Sequence, residues 1–183
     1  MEVDEQVKFR WQNAVILALI CALVGCAVAL TWSVAGPEID RQAAETADNA
    51  RRELFPEAES FEAQTVPADR GIDACYAALH GGELLGYTAQ VTVSGSQGMI
   101  EVIAGVDSAG RVTGIKVGGS GFSETPGLGA KTRDAAFTGQ YAGKGFPVRL
   151  NEDVDQITGA TISSAAVTDA VNLAGDYILS LLA

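Results

Sequence analysis

The sequence predicts an α+β protein: one N-terminal transmembrane helix, then a compact domain with a curved antiparallel sheet and a packed C-terminal helix. Three observations carry that prediction. Ala14 to Ala35 is an uncharged apolar stretch of 22 residues, about 33 Å long as a helix and so sufficient to cross a bilayer core. From Asp73 to Val117, short runs rich in β-branched and aromatic residues alternate with Gly-containing turns, the pattern of an antiparallel meander. From Ile162 to Leu182, the residues Ala166, Ala170, Leu173, Tyr177 and Leu181 share one helical stripe, with Val167, Val171, Ala174 and Ile178 beside it. So wide an apolar face belongs against a sheet.

Four segments follow in order: an N-terminal flank (1–13), the transmembrane helix (14–35), a connecting amphipathic helix and linker (36–60), and the compact domain (61–183). A cleaved signal peptide has an apolar core of about 7–15 residues, and this run is longer, which predicts a retained anchor. Leu23-Val24-Gly25-Cys26 matches a lipoprotein cleavage box, but apolar residues continue to Trp32. Trp11 and Trp32 bracket the span as interfacial aromatics do. Lys8 and Arg10 precede the span, whereas only Arg41, Arg51 and Arg52 follow it closely. That bias predicts a cytoplasmic N-terminus and an extracytoplasmic domain.

Pro37 suits the first turn of a new helix. Ile39, Ala43, Ala47, Ala50 and Leu54 continue it at helical spacing as far as Pro56. A short strand is expected at Phe61–Val66, then strands at Asp73–Leu79, Leu84–Val93, Met99–Val106 and Arg111–Val117. Val112, Ile115 and Val117 do not alternate cleanly, which leaves their facing open. A short helix over Asp134–Ala142 and a strand at Phe146–Leu150 complete the domain before the last helix.

Composition excludes several classes. Setting aside Lys8, Arg10, Glu2, Asp4 and Glu5 leaves 10 basic and 20 acidic residues, an excess that argues against nucleic acid or anionic lipid as partner of the soluble part. Cys21 and Cys26 lie in the apolar run and Cys75 is the single cysteine of the domain. No intradomain disulfide can form there, and no metal-ligand spacing is present. His80 is the one histidine, beside Gly81-Gly82, so no Ser-His-Asp set can form and no catalytic residue is assigned.

Two segments carry chemistry. Asp155-Gln156-Ile157-Thr158-Gly159-Ala160-Thr161 runs directly into the last helix. Unpaired N–H groups and the helix dipole make such a start a seat for phosphate. The alternative is an ordinary N-cap, with Thr158 or Thr161 bonding the first turn. The second segment is Ser123-Glu124-Thr125-Pro126-Gly127-Leu128-Gly129-Ala130-Lys131, which taken alone is a Pro-Gly turn with a charged lead-in.

Together the two segments resemble the covalent-FMN domain shared by the G subunit of the Rnf-type electron transport complex and the C subunit of the sodium-translocating NADH:quinone oxidoreductase. The flavinylation pattern Asp-x-x-Ser/Thr-Gly-Ala-Thr is matched at every defined position by Asp155, Thr158, Gly159, Ala160 and Thr161. The Rnf-type G subunit is the better match, since the quinone-reductase subunit carries larger insertions.

The resemblance implies FMN held through its phosphate on Thr161 Oγ, installed by a separate flavin transferase with FAD as donor. Asp155, Thr158, Gly159 and Ala160 would then be partly a recognition sequence. It also implies that Glu124, Thr125, Gly127, Leu128 and Gly129 face the flavin, and that Lys131 meets its phosphate or the ring's developing anion. Ser163 and Ser164 are alternative acceptors, expected instead to bond the first turn. Where family members often carry a histidine before the Glu-Thr pair, this chain has Phe122-Ser123.

The implied function is a membrane-anchored electron carrier of an ion-translocating ferredoxin:NAD oxidoreductase in the inner or cytoplasmic membrane, with no turnover by the isolated chain. Its partners would be other membrane and peripheral subunits, the flavin transferase and membrane lipid. Two readings compete: a flavinylated carrier of a different membrane reductase, and a cofactor-free membrane scaffold.

Overall fold

An uncharged apolar run with no proline before Pro37 builds one long helix, α1 (Glu2–Leu54), which carries Gly25 in its interior. The computed structural model describes the backbone of residues 2–183 and side chains from Trp11 onward. The flanking charges Lys8, Arg10, Glu2, Asp4 and Glu5 lie outside the described side chains. The chain divides into two compact units, with the boundary after Ala44.

In the first unit, the most apolar 18 residues of α1 have a mean hydropathy of 2.8 and none is buried by protein. Leu17, Leu23 and Leu30 are all more than 60 % exposed, as are Trp11 and Trp32. Such a surface is stable in lipid and costly in water. Thr31 Oγ1 donates to Ala27 O at 2.9 Å and Ser33 Oγ to Leu30 O at 2.8 Å, so both hydroxyls are satisfied within the helix. The helix expected to begin at Pro37 is instead a continuation, with Pro37 inside α1. Proline removes one helical N–H and clashes with the Cβ of the residue before it. Here that residue is Gly36, which has no Cβ.

The second unit holds the last turns of α1 and an open five-stranded meander. Its strands are β1 (Ser60–Gln64), β2 (Ala74–His80), β3 (Glu83–Ser94), β4 (Met99–Asp107) and β5 (Val112–Gly118). They pair antiparallel in sequence order. The last four lie within one residue of the expected runs, while β1 starts and ends slightly earlier than Phe61–Val66.

A bulge settles the facing of β5. Gly105 pairs with Gly114 but Val106 pairs with Val112, so Thr113 is the extra residue. Val112 and Ile115 therefore both point inward, 1 % and 3 % exposed, although three positions apart.

After the short α2 (Ala135–Thr138), the last helix, α3 (Thr161–Leu182), covers the inner face of this sheet. Val167, Ala170, Val171, Ala174 and Ile178 pack with Val91, Ile100, Val102, Ala104 and Val106. Full burial of each Val or Ile contributes roughly 1.5–3 kcal/mol. Its composition would permit a second span, but these contacts make α3 a core helix. The outer face receives Ala47, Ala50, Leu54 and Phe55 against Ala78 and Ile103. An added Cβ at Gly86 would stand 3.0 Å from Phe55 Cζ, and one at Gly114 3.0 Å from Leu54 Cδ2. Small residues on the strands thus let the end of α1 lie directly on the sheet.

Two expected elements differ. The helix over Asp134–Ala142 is only α2 (Ala135–Thr138) and a 3₁₀ turn, Gly139–Tyr141, because Gly139 weakens helix continuation. Phe146–Leu150 is not a strand; it contributes one isolated bridge, Leu150 to Val154. The backbone of Val148 pairs with a side chain instead: its N–H donates to Asn172 Oδ1 at 2.7 Å, and Asn172 Nδ2 donates to its carbonyl at 2.8 Å. A strand-like sequence is thereby fastened to α3 with no neighbouring strand.

Candidate functional site

Thr161 is the first residue of α3 and is exposed. Ala160 stands at the cap position with φ −128°, and no side chain caps the helix. The N-cap role expected of Thr158 or Thr161 is therefore absent. The first intrahelical bond runs from Ser164 N–H to Ala160 O at 2.9 Å, so the N–H groups of Thr161, Ile162 and Ser163 precede it. The first turn itself holds no acidic residue, so no side chain within it offsets the positive end of the helix dipole.

A tight turn delivers the chain to this point. Ala160 N–H donates to Ile157 O at 2.9 Å, and Gly159 takes φ +80°, a conformation glycine adopts without steric cost. The two serines do not bond the first turn as expected. Ser164 Oγ accepts from Ile157 N–H at 3.1 Å, and the Ser163 hydroxyl donates to Glu124 Oε2 at 2.7 Å.

The opposite wall is built around Glu124, which is 6 % exposed. Its Oε1 accepts from Gln97 N–H at 3.1 Å. Burial pushes the carboxyl up, but the Ser163 hydroxyl and the N–H groups of Gln97, Ser96 and Gly98 together hold it below the usual carboxylate range. The niche is walled by glycine. A Cβ at Gly129 would strike Glu124 Oε2 and stand 2.8 Å from Ser163 Oγ, and one at Gly95 would strike Glu124 Oε1. Thr125 O accepts from the N–H groups of Leu128 and Ala130, both at 3.1 Å, with Gly127 at φ +80° between them.

Between these walls lies a cavity of about 400 Å³, lined by Ser96, Gln97, Glu124, Thr125, Leu128, Gly129, Gly159, Ala160, Thr161, Ile162 and Ser163. That is the size of a small-molecule site. Leu128 and Ile162 present apolar surface at its rim, 42 % and 64 % exposed. A second depression, lined by Val93, Ser94, Thr161, Ile162, Ala165, Ala166 and Asp169, leaves Thr161 and Ile162 on the ridge between the two. The residues fit a flavin mononucleotide: free helix N–H groups for the phosphate, glycine backbone for close approach, and apolar edges for a planar ring.

Of the residues singled out in sequence, the fold brings Glu124, Thr125, Leu128, Gly129, Gly159, Ala160 and Thr161 to this cavity. Gly127 shapes the turn behind the wall. Asp155, Thr158 and Lys131 are exposed and lie outside the lining. Asp155 N–H donates to Gln140 Oε1 at 2.8 Å, and Lys131 N–H to Leu128 O at 3.0 Å. Sequence reasoning missed Ser96 and Gln97, which read only as a turn; the flanking Gly95 and Gly98 were the available signal. Where the family's histidine would stand, Phe122 lies under the Arg133 guanidinium, 4.5 Å from its ring centroid.

Other reactive groups are remote or inert. His80 Nδ1 bonds Glu57 O at 2.8 Å, away from the cavity. The Cys75 thiol is buried, and burial pushes it up to about 11. Among the described residues no His, Cys, Asp and Glu group could hold a metal.

The fold and cavity define a flavin-binding domain. Residues 95–176 match the family model described as an FMN-binding domain, a span that includes both walls. Over nearly its whole length the chain is 34% identical to the G subunit of the Na(+)-translocating ferredoxin:NAD(+) oxidoreductase complex of Acetobacterium woodii, covering 94% of this chain and 95% of that protein. It is likewise 34% identical to the G subunit of the ion-translocating oxidoreductase complex of Methanosarcina acetivorans, covering 90% and 92%. The chain belongs to the G-subunit family of ion-translocating oxidoreductase complexes. Its fold is also that of Shewanella oneidensis NqrC, whose crystal structure aligns with a TM-score of 0.52 at 19% identity over 70% of this chain and 73% of that one.

Proposed function

We propose that this chain is a membrane-anchored electron-transfer subunit that carries FMN covalently through phosphate on Thr161 and relays electrons within an Rnf-type ion-translocating ferredoxin:NAD oxidoreductase complex. One observation carries the covalent reading. Thr161 presents an exposed hydroxyl at the cavity edge, on the first residue of a 22-residue helix whose leading N–H groups are uncapped. Phosphate esterified there would lie against those N–H groups and the helix dipole.

The competing hydroxyls are engaged: Ser163 is 1 % exposed and bonded to Glu124, and Ser164 is fully buried. Among the described residues of the cavity lining, no His, Lys or free carboxylate accompanies Thr161. Among the described residues Glu124 is the one ionisable residue of the cavity wall, and its oxygens already accept from Ser163 and Gln97. Threonine is thus a passive acceptor, and the transferase must supply the base. The Thr161 Oγ–P bond forms as the FAD pyrophosphate bond breaks, AMP leaves, and the hydroxyl proton passes to the transferase. Exposed Asp155 and Thr158, with small Gly159 and Ala160, leave that enzyme room to approach.

FMN supplies one- and two-electron redox chemistry. The protein would position it: Leu128 and Ile162 would flank the ring, and the walls built on Glu124 and Gly129 would limit water from one side. The remaining subunits of the complex are the partners, with membrane lipid around the apolar part of α1. Lys8 and Arg10 favour a cytoplasmic N-terminus and an extracytoplasmic flavin domain, checked by protease access to the domain in spheroplasts.

The deciding experiment is ultraviolet fluorescence of the denatured band on a gel, native protein against Thr161→Ala, each expressed with the flavin transferase. Fluorescence in the native band alone is expected. Equal fluorescence in both would remove Thr161 as the attachment point, and none in either, with an active transferase, would favour a cofactor-free scaffold.

A further inference from the structure

Among the described residues the cavity wall contains a single charge, and it is negative. Glu124 is 6 % exposed, and its donors are neutral: the Ser163 hydroxyl and the backbone of the 95–98 turn. Among the described residues no Lys, Arg or His lines the cavity. Lys131, expected from the resemblance to meet a developing anion, is exposed and stands outside the wall. Neutral donors keep a carboxylate ionised without cancelling its charge. A charge partly shielded from water also acts on its neighbours more strongly than one in bulk solvent. The helix N–H groups that could offset it lie at Thr161, where a phosphate held there would engage them.

Resting on the FMN reading of this cavity, we propose that the buried Glu124 carboxylate lowers the reduction potential of the flavin by opposing negative charge on its ring. Electrons that enter the ring add negative charge beside the carboxylate, whereas the oxidised ring is neutral. The carboxylate therefore disfavours the reduced form. Near neutral pH, solvent protons at the open mouth neutralise only part of the reduced flavin, and the part that stays anionic is what the carboxylate opposes. Glu124 is in this sense a positioning residue for potential.

The test is a spectroelectrochemical titration of the full chain, loaded by co-expression with the flavin transferase, near neutral pH. Glu124→Gln removes the charge and keeps the shape, Glu124→Asp keeps the charge, and Ser163→Ala removes one donor only. The Gln variant should shift to a more positive midpoint, equivalent to about a tenfold gain in electron affinity. The Asp and Ser163→Ala variants should stay near the native value. Equal midpoints in the native and Gln proteins overturn the proposal. So does a common upward shift in all three variants, which would make packing rather than charge responsible.

Should Glu124→Gln not fold, Gln97→Lys places an ammonium on the exposed residue whose N–H already bonds the carboxylate. It should also raise the midpoint, and an unchanged value overturns the proposal. A native protein without covalent flavin is recognised on the denaturing gel before any titration, and it removes the underlying reading as well.

Discussion

The two walls of the cavity are built on opposite terms. The loop wall turns inward: Glu124 is buried, its oxygens are engaged, and glycines at 95 and 129 leave no room for a larger residue. The helix wall turns outward: Thr161 is exposed, caps nothing, and begins a helix with free N–H groups. One wall is held by its own structure, and the other is available to chemistry from outside. In this domain, then, the residue proposed to carry the flavin contributes little to the fold.

The largest structural effect should come from Gly129→Ala. Its Cβ has no space between Glu124 and Ser163, and overpacking of this kind costs up to about 3 kcal/mol. Chemical denaturation should show it, with flavin loading reduced in parallel; a variant as stable as native would mean the loop wall is not rigid. Asn172→Ala leaves the N–H and carbonyl of Val148 without partners. A loss of about 2 kcal/mol is expected in the same assay, with flavin loading retained because the residue is remote from both walls. Ser163→Ala removes one of several donors to a carboxylate and should cost about 1.5 kcal/mol. Thr161→Ala should change stability by less than about 0.5 kcal/mol while eliminating covalent flavin. That pairing of outcomes is the sharpest check on the contrast.

Acid provides a further check. The Glu124 carboxyl lies below its ordinary value of 4.5 in the folded chain, so the folded state binds this proton less readily than the unfolded state. The stability it contributes is present above that ordinary value and drains away as pH falls through the lowered folded one. Native protein should therefore lose melting temperature on acidification more steeply than Glu124→Gln. Parallel curves would show that the carboxylate is not held ionised by its donors.

Much of this was legible in the chain, and particular residues show why. The apolar run 14–35 and the stripe on α3 are periodic signals, and hydrophobic burial acts on periodicity directly. The β runs from residue 73 were legible because turns rich in Gly punctuate β-branched segments. Phe146–Leu150 was misread because its strand-like composition is satisfied by the Asn172 side chain, 24 positions away from Val148. The facing of β5 depended on the bulge at Thr113, a matter of register with β4. The two serines after Thr161 were expected to bond locally, yet both reach across to other segments.

The apolar anchor helix, the meander, the buried C-terminal helix and the two segments that meet at the cavity were all written in the order of residues. Each follows from local propensity or from apolar periodicity, which are properties of consecutive positions. Tertiary packing alone made Glu124 the lone charge among the described residues of the wall, left Lys131 outside it, and brought Ser96 and Gln97 in to complete it. Burial, hydrogen-bond partners and electrostatic surroundings belong to neighbours in space, and folding joined segments that the chain keeps far apart.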